Sequence, residues 1–265
     1  MLSYPFIGRA LAVGVLISFC AALLGVILVL KKYSLIGHGL GDVGFASTAL
    51  AVALGLNATY VSLPIVVIAS LIIMFVSQKT ETSGDAAIGM IATGSLAVGV
   101  VITALSNGFN IDVYNYMFGS ILAMSDSDVI FSAVLSAFVI ILFAVMYNRL
   151  FLVTYDEVYA KSIGINVSFY RFMISFLTAV TVVLGMRMMG SMLISSLIIF
   201  PAMTSKKLVK SFKGVVLLSA AVSVTCFILG IILSFALDLP TGASVVIMNL
   251  AAFTVATVVS KCKSR

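Results

Sequence analysis

The sequence predicts an all-α protein that crosses a lipid bilayer eight or nine times. Of its 265 residues, 62% are hydrophobic and only 9% are charged, and the mean hydropathy is +1.27. A soluble domain carries about a quarter charged residues, so this composition excludes an ordinary soluble domain, and it equally excludes a disordered chain. Apolar runs of roughly 20 residues, the length of helix that spans the hydrocarbon core, recur along the whole chain.

Nine apolar runs predict the helices. In chain order they cover residues 8–30, 36–54, 60–77, 86–106, 128–147, 170–186, 190–205, 214–236 and 242–260. The run 190–205 is short for a crossing, so it is either a full span or a broken or half helix, and the count is therefore eight or nine. Residues 107–124 combine a polar turn with a short apolar stretch, which predicts a re-entrant segment or an interfacial helix.

The positive charges predict how these spans are oriented. If Lys31 and Lys32, which end the first run, lie in the cytosol, alternation places 13 of the 15 Lys and Arg residues on the cytosolic side. Only Arg9 and Arg187 then lie outside. The opposite orientation would violate the positive-inside rule. We therefore interpret the net charge of +6 as a topology signal and not as a surface for nucleic acid.

His38 and Asp42 are the clearest polar pair inside an apolar run. Residues four apart on a helix share a face, where a neutral imidazole and a carboxylate can close on one divalent cation. Four glycines between positions 37 and 44 let neighbouring backbones come close enough to form a narrow pore wall. The alternative is that the two side chains hydrogen-bond each other, or lie shallow enough to meet cytosolic water.

A polar segment at about 150–168 interrupts the apolar pattern between the fifth and sixth runs. Asp156 and Glu157 suit the first turn of a short helix, and Gly164 suits its C-terminal end. The predicted orientation makes this segment cytosolic. It is either a surface connector or a helix that transmits force from a docked soluble domain. The chain has no GxxxxGK[ST] sequence, so any ATP-driven work must come from another subunit.

Three motifs give the chain an end-to-end resemblance to the membrane permeases of bacterial ABC importers for zinc, manganese and iron(II). The segment 189–204, MGSMLISSLIIFPAMT, is similar to that family's GxLLxxxLLxxPAxxA. The segment 239–246, LPTGASVV, is similar to its xPxGPxIV, and the segment 116–122, YMFGSIL, to its YLFGxxL. Together these motifs are more specific than composition.

The resemblance implies one permease domain over residues 1–265, in the bacterial cytoplasmic membrane. It implies a homodimer that works with cytoplasmic ATPase subunits and an extracytoplasmic metal-binding protein. The chain would then be no enzyme and would hold no permanent cofactor, since Zn²⁺, Mn²⁺ or Fe²⁺ is its transported substrate. The resemblance also identifies the segment 156–164 as the coupling helix that docks in the ATPase, with Asp156, Glu157, Ala160 and Gly164 as the coupling residues.

Two departures from the family pattern leave the metal open. The family's second span usually reads Asp-x-x-x-His, with both side chains proposed as metal ligands, whereas this sequence has His38 and Asp42 in the exchanged order. Relatives often carry a further histidine where this chain has the segment 92–95, ATGS. The residues alone also permit a secondary carrier driven by a proton or sodium gradient, with His38 or Asp42 as the proton-coupled group.

Overall fold

The computed structural model describes residues 5–79, 84–106 and 126–263, and these residues form ten helices and no strand. The first five are α1 (Pro5–Leu30), α2 (Ile36–Ala53), α3 (Ala58–Lys79), α4 (Gly84–Leu105) and α5 (Asp126–Tyr155). The others are α6 (Glu157–Ser162), α7 (Val167–Met189), α8 (Ser191–Leu208), α9 (Phe212–Leu237) and α10 (Thr241–Lys263). The segment predicted to be re-entrant or interfacial, 107–124, and the motif at 116–122 lie outside the described residues.

Each of the nine apolar runs is a helix, and the all-α prediction is confirmed for the described residues. Six helices in this part of the chain are long and apolar enough to cross a membrane, namely α1, α4, α5, α7, α9 and α10. The helix α2 contains a histidine and an aspartate, α8 contains four serines and two lysines, and the apolar part of α3 is shorter, Tyr60–Val76. The predicted number of eight or nine spans is therefore not confirmed and stays a prediction.

The helix α8 is continuous where the sequence left a broken or half helix open. It runs without a break over 18 residues although it contains Pro201, and 18 residues of α-helix measure about 27 Å. A single residue, Gly190, joins it to α7, with φ 89° and ψ 156°. Only glycine adopts this region of backbone space without strain. The two helices therefore form a hairpin with no loop between them.

The core of the bundle is built around α1 and α7, the two most buried of the six candidate spans. The helix α1 packs against α5, α7, α8 and α9, and α2 packs against α3, α4, α7 and α8. The outer helices expose large apolar side chains, which suits a surface that faces lipid. Examples are Val98, Val101, Val134, Ile141, Val145, Val255 and Val258. The protein is accordingly a multi-pass membrane protein.

Glycine allows the closest approaches between these helices, and two glycines, one in α1 and one in α2, lie against Ile198 of α8. A Cβ atom at Gly25 of α1 would lie only 3.0 Å from the carbonyl carbon of Ile198 and 3.1 Å from its Cα. A Cβ atom at Gly37 of α2 would lie 2.8 Å from Cδ1 of the same residue. Ile198 is 1% exposed. Its backbone thus lies tightly against α1 and its side chain tightly against α2.

Buried serines add polar contacts between helices. The hydroxyls of Ser70 and Ser175 each donate to the other residue's carbonyl oxygen, at 3.0 and 3.2 Å, and so join α3 to α7. The Ser223 hydroxyl of α9 donates to the carbonyl oxygen of Ser18 in α1, at 2.9 Å. Such bonds between membrane helices contribute about 0.6 kcal/mol each on average.

Candidate functional site

His38 and Asp42 lie on one face near the start of α2, as their spacing predicted. His38 Nε2 and Asp42 Oδ2 are 3.8 Å apart, which is beyond hydrogen-bond distance. The His38 side chain is 58% exposed and that of Asp42 is 14% exposed. A cation with bonds of about 2.0–2.2 Å would reach both atoms across that gap at an angle of roughly 120–145°. The two donors are therefore open to a ligand and not closed on each other.

The contacts of the α2 glycines show which way the His38–Asp42 pair faces. A Cβ at Gly41 would lie 3.0 Å from Ser191 Cβ, and Gly37 faces Ser195 and Ile198, so both glycines turn toward α8. Gly39 turns the other way, toward Ile88 and Ala92 of α4. Because successive residues rotate by about 100° around a helix, His38 and Asp42 fall between these two contact faces. The pair consequently looks out through the gap between α4 and α8.

This pair alone does not complete the coordination shell of a metal ion. Within the residues that the structure describes, no group of three or more His, Cys, Asp and Glu side chains comes together. A divalent ion usually takes four to six donors. Any cation held by His38 and Asp42 would therefore need further ligands that no other His, Cys, Asp or Glu side chain of the described residues supplies. The His-carboxylate chemistry suits zinc, manganese and iron(II) alike.

The polar segment after α5 forms the predicted short helix, α6. Asp156 is its N-cap, and the side chain accepts a hydrogen bond from the Tyr159 backbone N–H at 2.9 Å. Gly164 has φ +82°, and its N–H donates to the carbonyl oxygen of Lys161. Ala160 is fully buried against the bundle. Three of the four predicted coupling residues, Asp156, Ala160 and Gly164, thus shape and seat the helix.

The fourth, Glu157, fixes α6 to two other helices. Its carboxylate accepts a hydrogen bond from Lys31 Nζ, at the end of α1, at 2.5 Å. It also pairs with Arg171 of α7, through Nη2 and through Nε, the latter at 3.3 Å. We refer to Lys31, Glu157 and Arg171 as the anchor triad. Sequence reasoning missed it, because Lys31 and Glu157 are 126 residues apart and only the packing of the helices brings them together.

The anchor triad is partly withdrawn from water, and the pKa values of Lys31 and Glu157 reflect this. Burial raises the pKa of the Glu157 carboxyl, but the hydrogen bonds from Arg171 and Lys31 outweigh burial and leave the pKa below its ordinary value. Burial lowers the pKa of the Lys31 ammonium, although Glu157 opposes that shift. The Lys31 side chain is only 7% exposed, so Glu157 is the anion that makes its burial tolerable.

The outer side of α6 is apolar and faces away from the bundle. Four large side chains at or next to the helix are more than 40% exposed, namely Tyr155, Val158, Tyr159 and Ile163. Nothing in the sequence had indicated that the two tyrosines are exposed. A cluster of this kind on a polar surface is typical of a protein–protein contact. The helix therefore has one side built for the bundle and another available to a partner.

Comparison with known proteins agrees with this architecture. The model of the ABC 3 transport family matches residues 3–260. The manganese import system permease protein ScaB of Streptococcus gordonii is 27% identical over 252 residues, which cover 95% of this chain and 90% of ScaB. The high-affinity zinc uptake system membrane protein ZnuB of Haemophilus influenzae is 30% identical over 240 residues, or 91% of this chain and 92% of ZnuB.

A solved structure shows the same arrangement of helices. PsaBC from Streptococcus pneumoniae, determined in complex with Fab, superposes with a TM-score of 0.84 at 25% identity, covering 96% of this chain and 92% of that one. The family match spans nearly the whole chain and confirms the resemblance that the motifs indicated. The chain belongs to the ABC 3 transport family, as a multi-pass membrane permease whose ATPase is a separate subunit.

Proposed function

We propose that this permease moves divalent metal ions into the cell, with His38 and Asp42 as ligands in the translocation path. One observation carries the proposal: an imidazole and a carboxylate lie 3.8 Å apart on an open face of a helix within the bundle. Ionisable side chains at such a place are costly and usually serve a polar substrate. The relatives ScaB and ZnuB are named for manganese and zinc, so manganese and zinc are the first substrates to test, with iron(II) third.

A homodimer would supply the ligands that the described residues of one chain do not bring together. The pair looks out between α4 and α8, so a second copy across a two-fold axis at that gap would add another imidazole and another carboxylate. Four such donors are enough for zinc, and water can complete the larger shell of manganese or iron(II). A site assembled from two mobile halves also binds with intermediate affinity, which lets the ion leave.

The partners follow from the two ends of the molecule. The apolar side of α6 would dock in a cytoplasmic ATPase, while Asp156, Glu157, Ala160 and Gly164 hold the helix in the shape that docking needs. An extracytoplasmic metal-binding protein would deliver the ion at the opposite end. In this arrangement α2, α3 and α8 also lie at membrane depth, which gives the eight or nine spans that the sequence predicts.

Metal uptake by the reconstituted complex tests the site. The permease and its ATPase are placed in liposomes, and the uptake of Zn²⁺ and Mn²⁺ is measured with ATP inside or outside the vesicles. We expect His38→Ala and Asp42→Ala each to lower uptake at least tenfold. Ser47→Ala, in the same helix, is the matched control and should leave uptake unchanged. Wild-type uptake by both alanine variants would refute the metal site.

A double variant adds a test of the exchanged ligand order. His38→Asp combined with Asp42→His gives the Asp-x-x-x-His order that the family resemblance implies, while it keeps one imidazole and one carboxylate on the same face. We expect this variant to regain uptake above either alanine variant, because donor type and spacing are conserved. Uptake as low as in the alanine variants would mean that donor chemistry alone does not define the site.

The secondary carrier remains the second candidate, because a His-Asp pair within an apolar helix can also couple transport to protons. The same liposomes distinguish the two. An importer of the ABC type moves no metal without its ATPase subunit and ATP. Accumulation by this chain alone, under an imposed proton or sodium gradient, would favour the carrier and overturn the proposal.

A further inference from the structure

The anchor triad joins α6 to both central helices of the bundle. Glu157 lies in the first turn of α6, Lys31 directly follows α1, and Arg171 lies in α7. The two cations therefore hold α6 from two sides. A displacement of α6 must either break these ion pairs or move the ends of α1 and α7 with it.

The connection through α1 and the connection through α7 both lead on to α8. The helix α1 meets α8 where Gly25 lies against the backbone of Ile198, and α7 continues into α8 through Gly190 alone. Ile198 then contacts Gly37 of α2, directly before His38. Within the described residues, α6 is thus connected to the helix of the proposed metal ligands by ion pairs, by the helices α1 and α7, and by the close contacts at Ile198.

We propose that Glu157 is a positioning residue that carries movement of α6 to the His38–Asp42 pair, through Lys31 and the side chain of Ile198. The proposal rests on the proposed function, because it presumes that α6 is moved by an ATPase and that the pair binds metal. In this scheme Glu157 acts on the permease's own helices and contributes little to the docking contact, which belongs to the exposed apolar side of α6.

The packing explains how a small shift can travel this far. Protein interiors are close-packed and compress little, so a displacement is passed on where no space remains to absorb it. The glycine contacts leave no such space at Ile198, since even one added carbon would overlap it from either side. The Lys31 side chain is only 7% exposed, so it has little room to change conformation and little access to water that could replace Glu157 as its partner.

The first experiment measures the number of metal ions moved per ATP hydrolysed, in liposomes that contain the complete permease–ATPase complex. We expect Glu157→Gln to lower this ratio at least fivefold, while the ATPase subunit still binds the permease with wild-type affinity. Lys161→Gln, on an exposed position of the same helix, is the control and should keep the wild-type ratio. A wild-type ratio in Glu157→Gln overturns the proposal, and so does a loss that matches weaker binding of the ATPase.

The second experiment tests the step through α8. Ile198→Val removes Cδ1, the atom of Ile198 that lies against Gly37. Ile199→Val removes the same methyl group from the neighbouring, less buried position and should have no effect on the ratio. If Glu157 and Ile198 act in one series, the double variant loses no more than the worse single variant. Losses that multiply would place the two residues on independent routes and overturn the proposal.

These outcomes remain informative in two further situations. If Glu157→Gln does not assemble, Ile198→Val carries the test alone, because it leaves the anchor triad intact, and a wild-type ratio in that variant refutes the transmission. If the wild-type complex moves no metal when it hydrolyses ATP, the proposed function fails instead. The two failures are therefore distinguishable.

Discussion

Replacement of Gly25 by alanine tests the packing on which the bundle depends. The new Cβ would lie 3.0 and 3.1 Å from the carbonyl carbon and Cα of Ile198, and closer still to the carbonyl oxygen. Carbon atoms prefer separations of about 3.5–4.0 Å, so α1 and α8 must move apart by roughly 0.5–1 Å. The contact is with backbone, which no change of rotamer can relieve. Overpacking of this kind costs about 1–3 kcal/mol.

Thermal unfolding in detergent measures that cost. For a chain of this size each kcal/mol corresponds to about 2–4 °C, so the Gly25→Ala variant should melt on the order of 2–12 °C below the wild type. Gly8→Ala, in the same helix, is the matched control, because a Cβ at Gly8 has nothing within 4 Å. It should change stability by less than about 1 kcal/mol. Equal melting temperatures for the two variants would refute the close contact between α1 and α8.

Four further predictions concern α6, the glycine that follows it and a buried serine. Asp156→Ala removes the N-cap and should destabilise α6 by about 1 kcal/mol, measured as roughly fivefold faster amide hydrogen exchange within it; unchanged exchange would contradict the cap. Gly164→Ala forces a side chain into positive φ and should cost about 1 kcal/mol in thermal unfolding, unlike Gly89→Ala, which meets no neighbour. Ser175→Ala should cost less than about 1 kcal/mol in the same assay, and a loss of several would mean that its hydroxyl does more than link α3 to α7. The pKa of the Glu157 carboxyl is lowered in the folded protein. Its ion pairs therefore stabilise the fold fully above the ordinary carboxyl pKa of 4.5, and this stabilisation is lost as the pH falls through the lowered pKa. The difference in melting temperature between wild type and Glu157→Gln should accordingly persist at pH 5 and vanish only in stronger acid.

Hydropathy predicted where helices occur better than where they end. All nine apolar runs are helices, because runs of that length and composition satisfy their backbone hydrogen bonds internally. The run predicted at 128–147, however, belongs to a helix that continues to Tyr155. Its 30 residues measure about 45 Å, which is longer than the hydrocarbon core. Asn148 and Arg149 interrupt the apolar run without ending the helix, which continues through the apolar residues 150–153.

The candidate site was likewise predictable from the sequence only in part. The spacing of His38 and Asp42 predicted that they share a face, since that depends only on the geometry of one helix. The anchor triad could not be predicted, because its three charges come from distant parts of the chain and each had an ordinary explanation as a cytosolic charge. The cap at Asp156 and the stop at Gly164 were predictable, whereas the partners of Glu157 depended on how α1 and α7 pack.

The single residue between α7 and α8 also constrains how the chain enters the bilayer during synthesis. By length and composition α7 can partition into lipid unaided, whereas α8 is not among the six helices that can. A connection of one residue is too short for α7 to be inserted into the bilayer while α8 remains in the aqueous phase. We therefore expect the pair to be released from the translocon together, with the hydrophobicity of α7 carrying the more polar α8. Biogenesis, and not only the finished bundle, thus depends on the backbone freedom of Gly190.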